Sequence, residues 1–170
     1  MKYYYSIFLR CILIFLPISV FYFIFSPLTI YPVYYILSII KQVTLLGNTL
    51  FINSYNIEII NACIAGSAYY LLYILILFTK DIKFKTRILM FLLGSLSILV
   101  MNILRILILI FVLIKFGTNY FESIHIIFWK LVSGVYVAFV WIFLVLMFKI
   151  KSIPIYSDLK ELYNKSLFKK

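Results

Sequence analysis

Acidic side chains are scarce in this chain: five Asp and Glu among 170 residues, against sixteen Lys and Arg. Charge of either sign makes up 12% of the sequence, too little to clothe a monomer in water when 66% of the residues are hydrophobic. Two cysteines, Cys11 and Cys63, are too few for a disulfide framework, and they lie in different apolar surroundings. One histidine and two separated cysteines do not supply the three or four ligands of a metal site, so neither metal nor cofactor is expected. The chain lacks a Gly-rich phosphate loop and the G-x-S-x-G of a nucleophile elbow. The formal charge of +11 gathers at the ends of apolar runs, where it sets topology and meets anionic head groups. The many Tyr and Phe suit membrane interfaces better than base stacking, so nucleic acid is not an expected partner.

What the chain has in quantity is apolar length. Runs of about 18 residues or more suit a bilayer core of roughly 30 Å. Residues 1–170 read as a single integral-membrane domain. The expected fold class is an all-α membrane protein: a polytopic helical bundle of about four transmembrane helices, plus an interfacial or re-entrant helix and a small extracytoplasmic hairpin. The first span is expected over Tyr5–Phe25, uncleaved, kinked at Pro17 and ended by Ser26 and Pro27. Leu28–Leu46 is aromatic and interrupted by Pro32 and Lys41, which favours an interfacial or re-entrant helix over a further span. Gly47 and Asn48 mark a break. Two β-branched and aromatic runs over Thr49–Asn61 flank Asn53-Ser54-Tyr55-Asn56 and predict the hairpin. Spans two and three are expected over Ala62–Thr79 and Ile88–Phe116. Gly117–Ser123 reads as a polar loop, and the last span as Ile124–Phe148.

The densest basic loop, Lys80–Arg87, goes to the cytoplasm by the positive-inside rule. Both termini and the basic tail 149–170 then fall there too. With four spans, Cys63, Arg105 and His125 all come to the extracytoplasmic face. A fifth span over Leu28–Leu46 would break that parity.

These three residues carry the candidate chemistry. Cys63 opens a helix, where free N–H groups and the dipole favour a thiolate, and it sits among the small residues Ala65, Gly66, Ser67 and Ala68. On residue type alone, a membrane cysteine is more often packing, which is how Cys11 is read. Ser67 is one turn on and within reach of a reacting carbonyl. Arg105 is an ionisable residue inside an apolar run; it is either a snorkelling arginine or a cation for a thiolate or oxyanion. Asn102 lies on the same helical face three residues earlier and suits a role in orienting it. His125 is the one side chain with an unperturbed pKa near neutrality, and a cysteine that cleaves amides needs an acid for the leaving amine. Glu122, one turn before it, is a candidate to orient the ring, and Lys130 is a second candidate cation. Gly134 and Ser133 suit close helix packing.

Leu45-Leu46-Gly47, then Ala62-Cys63 at an outer helix start, then Asn102-x-x-Arg105, then His125 before the last helix resemble the archaeosortase/exosortase family. The resemblance spans about residues 45–146. It implies a multipass transpeptidase of the plasma membrane, with Cys63 as nucleophile, Arg105 as thiolate or oxyanion stabiliser and His125 as acid/base. It implies as partners secreted protein substrates bearing a C-terminal motif, a transmembrane helix and a basic cluster, with a membrane lipid as possible acceptor. Many members read A-C-S-G or A-C-T-G where this chain has A-C-I-A-G-S. Two other classes remain open: an intramembrane cysteine protease with water as acceptor, and a non-catalytic assembly or transport subunit.

Overall fold

The computed structural model describes residues 8, 10, 12–52, 55–79, 82–128 and 133–150. Cys11, Asn53-Ser54, Lys80, Lys130 and the tail beyond residue 150 lie outside the described residues. Helix α1 runs Ile18–Ile40. Strands β1 (Val43–Leu46), β2 (Thr49–Ile52) and β3 (Tyr55–Glu58) follow. Then come α2 (Asn61–Ile64), α3 (Gly66–Phe78), α4 (Phe84–Phe116), α5 (Thr118–Ile127) and α6 (Ser133–Met147).

Helices α1, α3, α4 and α6 pack together as the body of the molecule. Their shared core holds Phe25 stacked flat on Tyr69, with Leu72, Ile76, Met90, Ile98 and Leu144 beside them. Close approach is set at Gly94, where an added Cβ would come within 2.6 Å of Leu72 and 2.9 Å of Leu144. Tyr136 of α6 meets Ser97 of α4, and Leu144 meets Gly94, so α6 runs back along α4.

Among the described residues two helices are long and apolar enough to cross a membrane: α1 with 23 residues and α4 with 33. Over the described residues α3 and α6 extend for 13 and 15 residues, short of that length. At 1.5 Å per residue they reach about 20 and 22 Å against a core of roughly 30 Å. The described residues are therefore mostly helical with two candidate spans: four are not supported, and of the expected ones Ile88–Phe116 falls within α4 while Tyr5–Phe25 overlaps only the start of α1.

Several expected boundaries move. Pro17 caps the start of α1 and does not kink a helix interior. Ser26 and Pro27 do not end that helix; both Pro27 and Pro32 lie within it. Pro27 removes one backbone donor, and the hydroxyl of Ser26 donates to the Tyr22 carbonyl at 2.6 Å one turn back. In apolar surroundings the backbone has no water to turn to, so local side chains and packing keep a proline-bearing helix intact. Leu28–Leu46 is thus not a separate interfacial helix: its first part extends α1, and its last part is β1.

The hairpin expected over Thr49–Asn61 is present as β2 and β3, and β1 adds a third strand, giving an antiparallel sheet in the order β1-β2-β3. Gly47 and Asn48 are the two-residue turn between β1 and β2. Positive φ at Gly47 alone, +61°, is the arrangement that a tight II′ turn asks of its first position. One face of the sheet buries Val43, Leu50 and Ile52, while Thr44, Leu46, Asn56 and Glu58 stand on the exposed face.

The span expected over Ala62–Thr79 is interrupted at Ala65, which sits in the left-handed region with φ 59° and ψ 32°. Helix α4 begins at Phe84, earlier than expected. Gly117–Ser123 is not a loop: α5 starts at Thr118. Half-buried Phe121, Ile124, His125 and Phe128 recur at helical spacing, so the polar residues between them are the outer side of an amphipathic helix. Of the last span expected over Ile124–Phe148, the described residues hold the end of α5, Phe128 with helical dihedrals, and α6 from Ser133 to Met147.

Candidate functional site

Cys63 is the third residue of the four-residue helix α2. So short a helix leaves most of its carbonyls without an intrahelical partner. Side chains from α4 supply what is missing. Asn102 donates its Nδ2 to the Cys63 carbonyl at 2.8 Å. Arg105 donates Nη2 to the carbonyls of Ala62 at 3.3 Å and Cys63 at 3.4 Å. Spacing of three residues puts Asn102 and Arg105 on one face of α4, and both are buried, at 5% and 6% exposure.

Arg105 is therefore not a snorkelling arginine. Its head turns inward onto backbone oxygens, and its Nε is buried with no hydrogen-bond partner among the described residues. Beside it lies a cavity of about 30 Å³ lined by Ala65, Ala68, Ile98, Met101, Asn102, Arg105, Tyr136 and Val137. That space holds about one water molecule.

Cys63 is a half-buried free thiol. Burial pushes its pKa above the ordinary value, opposed by a backbone hydrogen bond at Ile60 and by the charge of Arg105. The expected thiolate at a helix start is thus not what the surroundings favour. A four-residue helix carries little dipole, and desolvation dominates. The resting group is a thiol.

The break at Ala65 shapes the site. A non-glycine residue in the left-handed region costs roughly 1–2 kcal/mol. It ends α2 two residues after Cys63 and caps the start of α3. Gly66, the next residue, packs against α1: an added Cβ would sit 2.5 Å from the Tyr22 ring. The small residues after Cys63 thus serve the turn and the contact with α1.

Three of the six expected site residues converge here: Cys63, Asn102 and Arg105. Ser67 is exposed on α3 and makes no hydrogen bond among the described residues. Glu122 is exposed on α5. His125 lies on the half-buried stripe of α5, with its ring stacked on Phe121 at 5.5 Å. Among the described residues no hydrogen bond or ion pair joins His125 to Cys63, Arg105 or Glu122. Helix α5 does fold against α4, and α6 returns to the level of Arg105 at Tyr136 and Val137.

Two neighbours escaped the sequence reading. Tyr69 is fully buried, interacts electrostatically with Arg105 and has a hydroxyl with no hydrogen-bond partner among the described residues. Tyr136 lines the cavity beside Arg105, and its hydroxyl pairs with that of Ser97 at 2.9 Å. Fifteen tyrosines in one chain hide both; only the packing of α3, α4 and α6 singles them out. No family model matches the chain, and no curated protein or solved structure matches it.

Proposed function

We propose that this chain is a plasma-membrane cysteine transpeptidase, similar in its residues to the archaeosortase/exosortase family. It cleaves C-terminal sorting signals of secreted proteins at the extracytoplasmic face and transfers them to an acceptor such as a lipid. The supporting observation is the convergence of Asn102 and Arg105 on the backbone of Cys63, across about forty positions of sequence. In this reading α1 and α4, the two helices long and apolar enough to cross a membrane, anchor the bundle, with Lys80–Arg87 and both termini in the cytoplasm.

In this mechanism His125 takes the Cys63 proton, and the sulfur attacks a peptide carbonyl carbon. Arg105 offers positive charge to the oxyanion. The C–N bond breaks, and the leaving amine receives the proton from His125. An acceptor amine or hydroxyl then displaces the sulfur from the thioester and restores the thiol. The ring of His125 must approach Cys63 when substrate binds, since catalytic contacts commonly tighten only in the complex.

The test is top-down mass spectrometry of surface proteins from cells carrying wild type or Cys63→Ala. Wild type yields proteins truncated near the C-terminus with added mass, and the variant does not. Truncation to a free acid in wild type identifies an intramembrane protease instead. Unchanged surface proteins with the variant present in the membrane overturn the enzyme reading. One observation favours the non-catalytic class in that event: Asn102 and Arg105 cap the carbonyls of a broken helix, which is work for a structural arginine.

A further inference from the structure

The backbone of β3 is bonded on one side only. The amide of Ile59 donates to the Asn48 carbonyl at 2.9 Å, which fixes which cross-strand pairs exchange hydrogen bonds. The register pairs Leu50 with Ile57 and Ile52 with Tyr55, and alternation makes these bonded pairs in step with Asn48 and Ile59. Asn56 and Glu58 therefore turn their N–H and C=O groups away from β2. No backbone hydrogen bond from the described residues meets them there. The sheet order makes β3 an edge strand. The other edge, β1, is packed against α1.

This open edge leads directly to the candidate nucleophile. Ile60 continues the extended backbone with φ −82° and ψ 169° and caps α2, whose third residue is Cys63. From Glu58 to Ile60 the chain advances about 7 Å at ~3.3 Å per residue. A second extended chain laid along β3 would thus pass the sulfur within a few residues of its last paired position.

We infer that the edge of β3 is the substrate subsite: an extended peptide segment flanking the scissile bond adds to the sheet as a fourth strand, hydrogen-bonded to Asn56 and Glu58, and is thereby delivered to Cys63. The inference rests on the acyl-transfer function proposed above. Strand addition draws affinity from main-chain bonds, so it accepts varied side chains on the paired segment. The exposed side chains of Asn56 and Glu58 lie off the buried face of the sheet, so the strand docks without disturbing the core.

The experiment uses the full chain in its host membrane. Asn56→Pro deletes an outward-facing N–H while leaving the β2–β3 ladder its donors, which is the position where an edge strand tolerates proline. Asn56→Ala keeps that N–H and removes only the side chain. The processed fraction of surface proteins should fall roughly tenfold or more in Asn56→Pro, the size of one lost main-chain bond, and by clearly less in Asn56→Ala, which keeps the main-chain donor. Membrane abundance and the maleimide labelling rate of Cys63 should be unchanged in both. Full processing by a membrane-resident Asn56→Pro overturns the inference while leaving the enzyme reading intact. Processing that survives Cys63→Ala removes both. Should Asn56→Pro not accumulate, a benzophenone amino acid at position 56 in the Cys63→Ala chain decides. Cross-links to the uncleaved C-terminal segments of proteins that wild type truncates support strand addition; their absence overturns it.

Discussion

Arg105 spends its hydrogen bonds on backbone oxygens, so its first effect is on the shape of the Cys63 turn. In Arg105→Ala the Ala62 carbonyl loses its side-chain partner; Ala62 is exposed, so water can replace it and the loss is that of an ordinary hydrogen bond, about 0.5–1.5 kcal/mol. Thermal unfolding in detergent should show that loss, and an unchanged midpoint would show that the bond contributes nothing. Chemistry at Cys63 has its own signature. Because burial raises the thiol pKa, the thiolate becomes populated only above the ordinary thiol range. Alkylation by maleimide in the absence of substrate should be slow near neutrality and keep rising with pH past the point where a free cysteine levels off. The folded state prefers the protonated form, so this group's contribution to stability is present below the unfolded pKa and lost as pH rises towards the folded one. A rate already at its plateau near pH 7 would contradict the desolvated thiol. The single arginine in an apolar run and its asparagine partner were legible in the sequence, because charge in such a place is costly and spacing fixes a shared face. Their target was not: nothing in N-A-C-I announces that backbone carbonyls are the acceptors.

Local rules failed at the elements in a patterned way. Pro27 and Gly117 were read as stops, and one stops nothing, because an apolar helix has no solvent to receive freed backbone groups. Ala65 was read as helix interior, and it is the break. Tertiary contacts decide that point: Tyr22 fills the space over Gly66, and α4 holds the carbonyls of α2. The strain is then testable. Ala65→Gly removes the penalty of the left-handed conformation and should stabilise the protein by about 1 kcal/mol, read as a raised unfolding midpoint. A lowered midpoint would mean that the Ala65 methyl, which lines the cavity beside Arg105, contributes more than the conformation costs. The hairpin was legible because the polar stretch Asn53-Ser54-Tyr55-Asn56 divides two β-branched and aromatic runs, although Tyr55 and Asn56 belong to β3 and not to the turn. Strand β1 was not, since V-T-L-L at the end of a long apolar run carries no sign of its partner.

At the scale of the whole molecule, basic residues without acidic neighbours gather at one end among the described residues, where Lys83, Lys85 and Arg87 meet the start of α4, while Glu58 and Glu122 lie on β3 and α5. Arg87 starts α4 near the basic loop, and Arg105 lies well along the same helix, level with Cys63. A membrane-impermeant maleimide added outside intact cells should therefore label Cys63, while a cysteine placed at Lys83 should react only after the membrane is opened. Equal labelling of both would break the proposed topology. Composition made apolar length legible, and α1 and α4 are long and apolar enough to cross a membrane; it did not reveal how α3 falls short of a full crossing, because its length is set by the break at Ala65. The tightness around Arg105 has an electrostatic corollary. A space of about 30 Å³ holds about one water beside the guanidinium. Charge that so little water can screen acts at closer to full strength, so the pull of Arg105 on any negative charge placed near it is a property of the walls, Ala68 and Val137, as much as of the guanidinium.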